Sequence, residues 1–395
     1  MAANKLNSSA VDSLYIHVPF CAHKCEYCAF YSHAPGEGLV DRYVRALIAE
    51  LEMVRPAKPC TIFFGGGTPS ILNIRQWTEL LRAMERLKLT GAAEWTVECN
   101  PATVSEDKAK LLRDFGVNRI SMGVQSLDEK LLERLGRIHS REQVFKSFEI
   151  LRRAGFDNLN IDLMFAIPGQ TMQVWRDTLR EALDLGSEHL SSYEVIYEQD
   201  TPLFEQLKAG EVDVNEDLAF DMHAELVSYA DSRGYRQYEV ANFAKDRGEN
   251  SEDVPSFACR HNVNYWRGGF YHAFGPSAAG FVAGENGGAP VRTKNWSNTQ
   301  MYCELVEKGQ RPVESRETLT TEQRAGEIAA FGLRMNVGWP LERFHHVTGF
   351  ELRNNWRQEI DELIARGWGV LEPNRFRLTQ KGLRFADAAA AEFLR

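Results

Sequence analysis

Cys21, Cys25 and Cys28 fall close together in the run FCAHKCEYCAF, from Phe20 to Phe30. The CxxxCxxC spacing offers three thiolates to a cubane iron–sulfur cluster that takes four ligands, which leaves one iron open to substrate chemistry. Two other readings fit the same residues: a zinc site completed by His17 or His23, and plain buried cysteine. Structural zinc sites usually draw their ligands as two separated pairs, and the sequence has no second pair near the first. Lys24 and Glu26 make the loop too polar for simple burial. The triplet therefore reads as the protein ligands of a [4Fe-4S] cluster. Cys60, Cys99, Cys259 and Cys303, the rest of the seven cysteines, are scattered singly. That usage suits a reducing compartment and predicts a cytoplasmic protein.

Other residue types capable of chemistry follow at intervals. Gly65-Gly66-Gly67-Thr68-Pro69 is either a tight connection or a turn whose missing side chains admit a ligand to the backbone. Glu98, Gln125, Arg137 and Asp162 supply donors and acceptors suited to a ribose and a carboxylate, although singly each could be a surface or capping residue. His261-Asn262-Val263-Asn264-Tyr265-Trp266 is either a core histidine beside aromatics or a site for a flat aromatic ligand or metal. Arg260 and Arg267 stand ready to pair with carboxylates.

The elements that must position these residues alternate regularly. Strand-like runs occur at Leu14–Val18, Thr61–Phe64, Trp95–Glu98, Arg119–Val124, Leu159–Phe165 and Leu190–Val195. Helical periodicity fills the gaps at Leu39–Val54, Trp77–Leu87, Lys108–Phe115, Gln143–Ala154 and Trp175–Leu185. Such alternation predicts an α/β fold, a parallel sheet curved into a partial (β/α)6 TIM-like barrel. Ligands of such sheets bind at the carboxyl ends of the strands, where the cysteines, the glycine turn, Glu98, Gln125, Asp162, Tyr193 and Glu194 all fall.

We place a flexible tail at 1–12, the barrel at 13–243, irregular connections at 244–315, and a small helical domain at 316–395. In the last, helices at Glu322–Met335, Pro340–His346, Glu351–Arg366 and Leu378–Leu394 with a hairpin at Gly369–Phe376 suggest a winged-helix-like module. Packing against the barrel is the simpler role for it, because its charges nearly cancel. The 395 residues are 44% hydrophobic and 26% charged, the balance of a soluble globular protein. A formal charge of −9 argues against nucleic-acid binding. No stretch of roughly 18 apolar residues predicts a transmembrane segment.

These motifs together resemble the radical S-adenosylmethionine (SAM) superfamily, and within it the HemN/HemW group of coproporphyrinogen III oxidases and haem-chaperone relatives. The runs LYIHVPFC, FFGGGTPS, VECNP, GVQS, IDLMFAIPGQT, YRQYEVANFA, CRHNVNYW and LTQKG carry the likeness over nearly the whole chain. The resemblance implies that SAM chelates the open iron and is cleaved to methionine and a 5′-deoxyadenosyl radical. It carries SAM contacts to Tyr15, Tyr27, Gly66, Gly67, Thr68, Glu98, Gln125, Arg137 and Asp162, and assigns haem to His261. It also implies haem or porphyrin as ligand, apo-haemoproteins as recipients and an electron donor, and it allows peripheral membrane contact.

Two departures favour the chaperone branch over the oxidase. The oxidases usually carry a further cysteine two positions after the third, where this chain has Phe30. They also have a longer amino-terminal arm. The HNxxYW pattern at His261–Trp266 points the same way. The alternative implied by the resemblance is oxidative decarboxylation of the two propionates of coproporphyrinogen III. One oddity is Gly275-Pro-Ser-Ala-Ala-Gly280, where relatives often read GPGAH.

Overall fold

Runs rich in β-branched and aromatic residues become strands from Ser13 onward, and amphipathic runs become the helices between them. The computed structural model describes residues 13–247, 253–284 and 288–394; the tail expected at 1–12 lies outside the described residues. β1 (Ser13–Val18), β2 (Thr61–Gly66), β3 (Glu94–Cys99), β4 (Arg119–Gln125), β5 (Leu159–Phe165) and β6 (His189–Glu194) pair side by side in sequence order, all parallel. This is the expected α/β architecture. α1 (Leu39–Val54), α2 (Ile74–Arg86), α3 (Glu106–Asp114), α4 (Glu129–Arg134), α5 (Arg141–Arg153) and α6 (Met172–Asp184) form the crossovers, followed by α7 (Pro202–Lys208) and α8 (Glu216–Ser232). Reciprocal caps start α2 at Asn73 with Gln76 and α5 at Ser140 with Gln143, which satisfies otherwise free N–H groups.

The sheet continues past both ends of this set. β8 (Asn242–Ala244) adds antiparallel to β6, and β7 (Arg236–Gln237) adds antiparallel to β8 at the edge. On the other side β9 (His272–Phe274) adds parallel to β1. The stretch 244–315, expected as irregular connections, thus supplies a sheet strand. It also carries α9 (Arg260–Trp266), α10 (Thr299–Glu307) and an antiparallel sheet of β10 (Ala279–Val282), β11 (Val291–Asn295) and β12 (Val313–Thr318). Tertiary contacts order it. The buried Glu50 carboxylate of α1 accepts from the Gly275 N–H at 2.9 Å, from Asn295 at 2.9 Å and from Tyr302 at 2.8 Å.

The carboxy-terminal part has its own apolar core around Trp339, Phe344, Trp356, Phe376 and Phe393. α11 (Thr321–Gly332) and α12 (Leu341–Thr348) pack there with a sheet of β13 (Trp339–Pro340), β14 (Gly369–Leu371) and β15 (Arg375–Leu378), ordered β13-β15-β14. Two helices expected to be long are each broken. Trp356, with φ −120 and ψ 39, divides Leu352–Asn355 from Arg357–Ala365. Phe385, with φ −111 and ψ 28, separates Gln380–Leu383 from Ala386–Ala391. Among the described residues no helix is long and apolar enough to cross a membrane.

Side chains alternate along every barrel strand. Leu14, Ile16, Val18, Ile62, Phe64, Trp95, Val97, Ile120, Met122, Ile161 and Leu163 sink into the core beneath the helices. The residues between them line a polar lumen and bond to one another. Asn160 donates to Ser121 at 2.7 Å and to Asp162 at 2.8 Å; its carbonyl lies 2.6 Å from Nδ1 of His189, whose Nε2 lies 2.8 Å from the Tyr238 hydroxyl. Parallel sheets covered by helices usually read as unbroken apolar runs. Here the lumen-facing positions of most strands are polar instead.

Candidate functional site

The cysteine loop leaves the carboxyl end of β1 and is tied down along its length. At its base the Cys21 N–H donates to the His33 carbonyl at 3.0 Å, and the His33 N–H donates to Pro19 at 2.9 Å. Its tip is held from two sides, by Glu26 N–H to the Leu135 carbonyl at 3.1 Å and Leu203 N–H to the Glu26 carbonyl at 2.9 Å. Cys21, Cys25 and Cys28 are free thiols, all partly exposed. Burial pushes the Cys28 thiol up, the Phe30 N–H opposes this, and the neighbouring thiols reinforce it.

The donor set fits a cluster better than a single ion. Among the described residues no three His, Cys, Asp or Glu side chains converge closely enough to hold one metal ion. His17 is committed elsewhere, with Nδ1 3.1 Å from the Tyr15 hydroxyl and Nε2 2.8 Å from the Tyr31 carbonyl. Arg137 Nη1 donates to Cys25 Sγ at 3.4 Å, and the Thr68 hydroxyl lies 3.5 Å from Cys21 Sγ. Such contacts are the outer-shell support that a cysteine-held iron centre requires.

Around these sulfurs opens a cavity of about 480 Å³. It gathers the three cysteines with Tyr27, Gly66, Gly67, Thr68, Glu98, Gln125, Arg137 and Asp162, which come from five strand ends and the loops that follow them. Tyr15 does not line it. Its ring lies below, packed against Phe63 with centroids 6.3 Å apart, and its hydroxyl is spent on His17.

Each side chain is aimed by local structure. Gln125 has a φ of 66, a left-handed backbone that non-glycine residues seldom adopt, at an irregularity in the β4–β5 register. Arg137 is anchored by its Nη2 to the Gly123 carbonyl at 2.6 Å, while its buried Nε has no protein partner. An orphaned donor on a cavity-lining guanidinium suits an anionic ligand group such as a carboxylate. Asp162 accepts from Ser121 at 3.1 Å and from Asn160, yet burial still holds its pKa above the ordinary range. Glu98 is pushed up to about 8, first by burial and then by the Asp162 charge, with the Gly66 N–H and Arg119 pulling the other way.

The glycine turn has a physical reason different from simple ligand access. A Cβ on Gly67 would lie 2.6 Å from the Phe20 carbonyl and 2.7 Å from that of Val18. On Gly66, where φ is 103, it would lie 2.4 Å from the His17 ring. These glycines let β2 close onto the root of the cysteine loop, so they bring the turn and the sulfurs together.

His261 is not brought to this cavity. It sits at the amino end of the barrel on α9, roughly 20 Å of strand away, and is 1% exposed. Nδ1 lies 2.8 Å from the Thr61 hydroxyl and Nε2 lies 2.7 Å from that of Tyr265. The ring stacks on Phe63 with centroids 5.3 Å apart. Glu94, the first residue of β3, accepts the Arg260 N–H at 2.8 Å and the His261 N–H at 2.9 Å, capping α9 from a distant segment. Burial, then the Arg119 charge, lowers the imidazole to about 3. With both nitrogens engaged, His261 has no free position for a metal in this arrangement, and α9 serves as the floor of the lumen.

Several cavity residues escaped the sequence reading. Ser121 was legible by its period of two from Gly123. Ile138, Met164 and Ile196 are single apolar residues in unremarkable runs, and only the fold collects them.

Comparisons with known proteins agree with this geometry. The chain matches the radical SAM superfamily over residues 15–182 and the HemN C-terminal domain over residues 319–385. The heme chaperone HemW of Lactococcus lactis is 34% identical over 388 residues, covering 97% of each chain. That of Escherichia coli is 34% identical over 388 residues, covering 97% of this chain and 98% of its own. The structure of the coproporphyrinogen III oxidase HemN from Escherichia coli superposes with a TM-score of 0.82 at 20% identity, over 98% of this chain and 90% of that one. At that identity the last likeness speaks for the fold. Full-length similarity and a cluster loop at the mouth of a parallel barrel place this chain in the radical SAM superfamily, as a member of the HemW family.

Proposed function

We propose that this protein binds haem and transfers it to apo-haemoproteins, with a [4Fe-4S] cluster and SAM as resident groups in its barrel. The observation that carries the reading is similarity along 97% of the chain to proteins named heme chaperones, joined to a cavity that unites the three cysteines with eight of the nine positions expected to contact SAM.

A cluster with one iron free of protein ligands supplies a binding point for the amino and carboxylate groups of SAM and an electron to it. The chain's own residues do the rest. Cys21, Cys25 and Cys28 would hold three irons of the cluster, while Arg137 places positive charge against Cys25. Glu98 and Asp162 offer acceptors to ribose hydroxyls and to a cationic sulfonium, and Gln125 and the Thr68 hydroxyl add neutral contacts. Burial of these polar groups excludes water from their neighbourhood. An electron donor is required for reduction, and the scattered reduced thiols suit work in the cytoplasm.

The test is transfer. Anaerobically reconstituted protein loaded with haem should pass it to an apo-haemoprotein and restore that protein's absorption spectrum. Coproporphyrinogen III, SAM and a reductant are supplied in parallel. Protoporphyrinogen formation without haem transfer would overturn the reading in favour of the oxidase.

A further inference from the structure

We propose that haem binds across the mouth of the cluster cavity, with Phe30, Ile138, Tyr193 and Ile196 against its faces and His23 as the axial ligand to its iron. The proposal rests on the chaperone reading above and assigns the site that reading leaves open.

The cavity changes character from floor to rim. Its depth is polar, with Glu98, Gln125, Arg137 and Asp162 beside the sulfurs. Its rim exposes apolar side chains set among the charged Lys24, Glu194 and Glu198. Phe30 is 69% exposed, Ile196 63%, Ile138 52% and Tyr193 43%, and all four line the same cavity. They come from three separate segments: the cysteine loop, the loop after α4, and the end of β6 with its continuation. Scattered exposed apolar residues are ordinary, but a ring of them around a functional opening marks a binding surface. A nucleoside with charged groups fits the polar depth. A broad, flat, apolar ligand fits the rim, and haem has that chemistry.

Haem iron also takes a side-chain ligand, most often imidazole. His23 is the histidine that lines this cavity. It is exposed, lies beside Gly136 at the edge of the adjoining cleft, and its ring makes no hydrogen bond or ion pair among the described residues. His261 offers the opposite situation, buried at the other end of the barrel with both nitrogens bonded. Phe30 acquires a role of its own, because the position that carries a further cysteine in the oxidases here carries an exposed aromatic face.

The experiment titrates hemin into the full-length, anaerobically reconstituted protein and follows the Soret band. His23→Ala should shift the band and weaken binding roughly tenfold or more. Phe30→Asp and Ile196→Asp should each weaken it by a similar factor. Iron and sulfide contents are measured alongside. Ile196 lies outside the cysteine loop, so its variant keeps the test valid if a loop variant loads its cluster poorly. Wild-type affinity and spectrum in His23→Ala and Ile196→Asp would overturn the site, as would a spectrum that changes with His261→Gln instead. Failure of the wild type to bind haem at all would overturn the chaperone reading itself, a distinct outcome.

Discussion

Thr61 Oγ1 lies 2.8 Å from Nδ1 of His261, and this contact joins the first turn of α9 to the first residue of β2. Thr61 donates its own proton to Ser13 at 2.8 Å, so its oxygen accepts from the imidazole, and the other ring nitrogen accepts from Tyr265. The HNxxYW pattern is thereby explained as a floor: a neutral histidine locked between hydroxyls, with Tyr265 one helical turn away closing the second bond. His261→Ala removes both hydrogen bonds and leaves a hole against Phe63, and should lower stability by about 2–4 kcal/mol. Denaturant unfolding of the two proteins measures the loss. Equal midpoints would mean that the imidazole does not hold the floor.

Glu98 should make SAM binding depend on pH. Its carboxyl is held up to about 8 by burial and by Asp162. A cationic ligand favours the ionised form, so binding below that pH releases a proton. Affinity for SAM should rise with pH up to about 8, approaching tenfold per unit where the proton is fully released. Titration calorimetry at pH 7 in two buffers of different ionisation enthalpy counts the protons released, and Glu98→Gln should lower that count by the share Glu98 contributes, leaving the proton lost by the SAM amino group. Without ligand, stability runs the other way. The folded-state pKa lies above the ordinary 4.5, so the fold binds more protons than the unfolded chain and loses stability as pH rises from 4.5 to about 8.

Much of this site could be read in advance, because its residues follow strands that announce themselves locally. β-Branched runs ending in Gly, Asn or Gln fixed where Glu98, Gln125 and Asp162 would emerge, and each now lines the cavity. What stayed hidden depends on partners far along the chain. α9 contains Asn262 and Asn264, poor helix formers, and its start is capped by Glu94, more than 160 positions earlier. The adjoining β9 is only three residues long and exists because β1 offers it an edge. Tyr15 shows the limit from the other side. It faces the lumen as its place in the first strand requires, yet it lies below the cavity with its hydroxyl on His17 and its ring on Phe63.

Arg137 should set the electrostatics of the cluster. Its guanidinium reaches Cys25 at 3.4 Å, and the residue is half-buried while doing so. Positive charge beside a cysteine sulfur stabilises the reduced, more negative cluster. Arg137→Met should therefore lower the cluster's midpoint potential, on the order of tens of millivolts, and slow reductive cleavage of SAM. Redox titration followed by electron paramagnetic resonance checks the potential separately from turnover. An unchanged potential with cluster content intact would show that Arg137 serves the ligand alone.

Ser277 stands where the resemblance leads one to expect a glycine, and it keeps the backbone that glycine favours. Its φ is 64, in the left-handed region. The conformation is imposed from both sides. The Ser277 N–H donates to the Trp296 carbonyl at 3.0 Å, and two residues earlier a Cβ on Gly275 would lie 2.4 Å from the His17 carbonyl. The loop is thus pressed against the root of the cysteine segment and cannot relax by moving away. Ser277→Gly should relieve strain of about 1 kcal/mol, partly offset by loss of the Ser297 hydroxyl contact at 3.0 Å. A net gain of about 0.5 kcal/mol in unfolding free energy is expected. Ser277→Ala separates the two contributions, because it keeps the strain and loses the contact. That variant should be the least stable of the three, and if it matches Ser277→Gly the strain is not what distinguishes this loop.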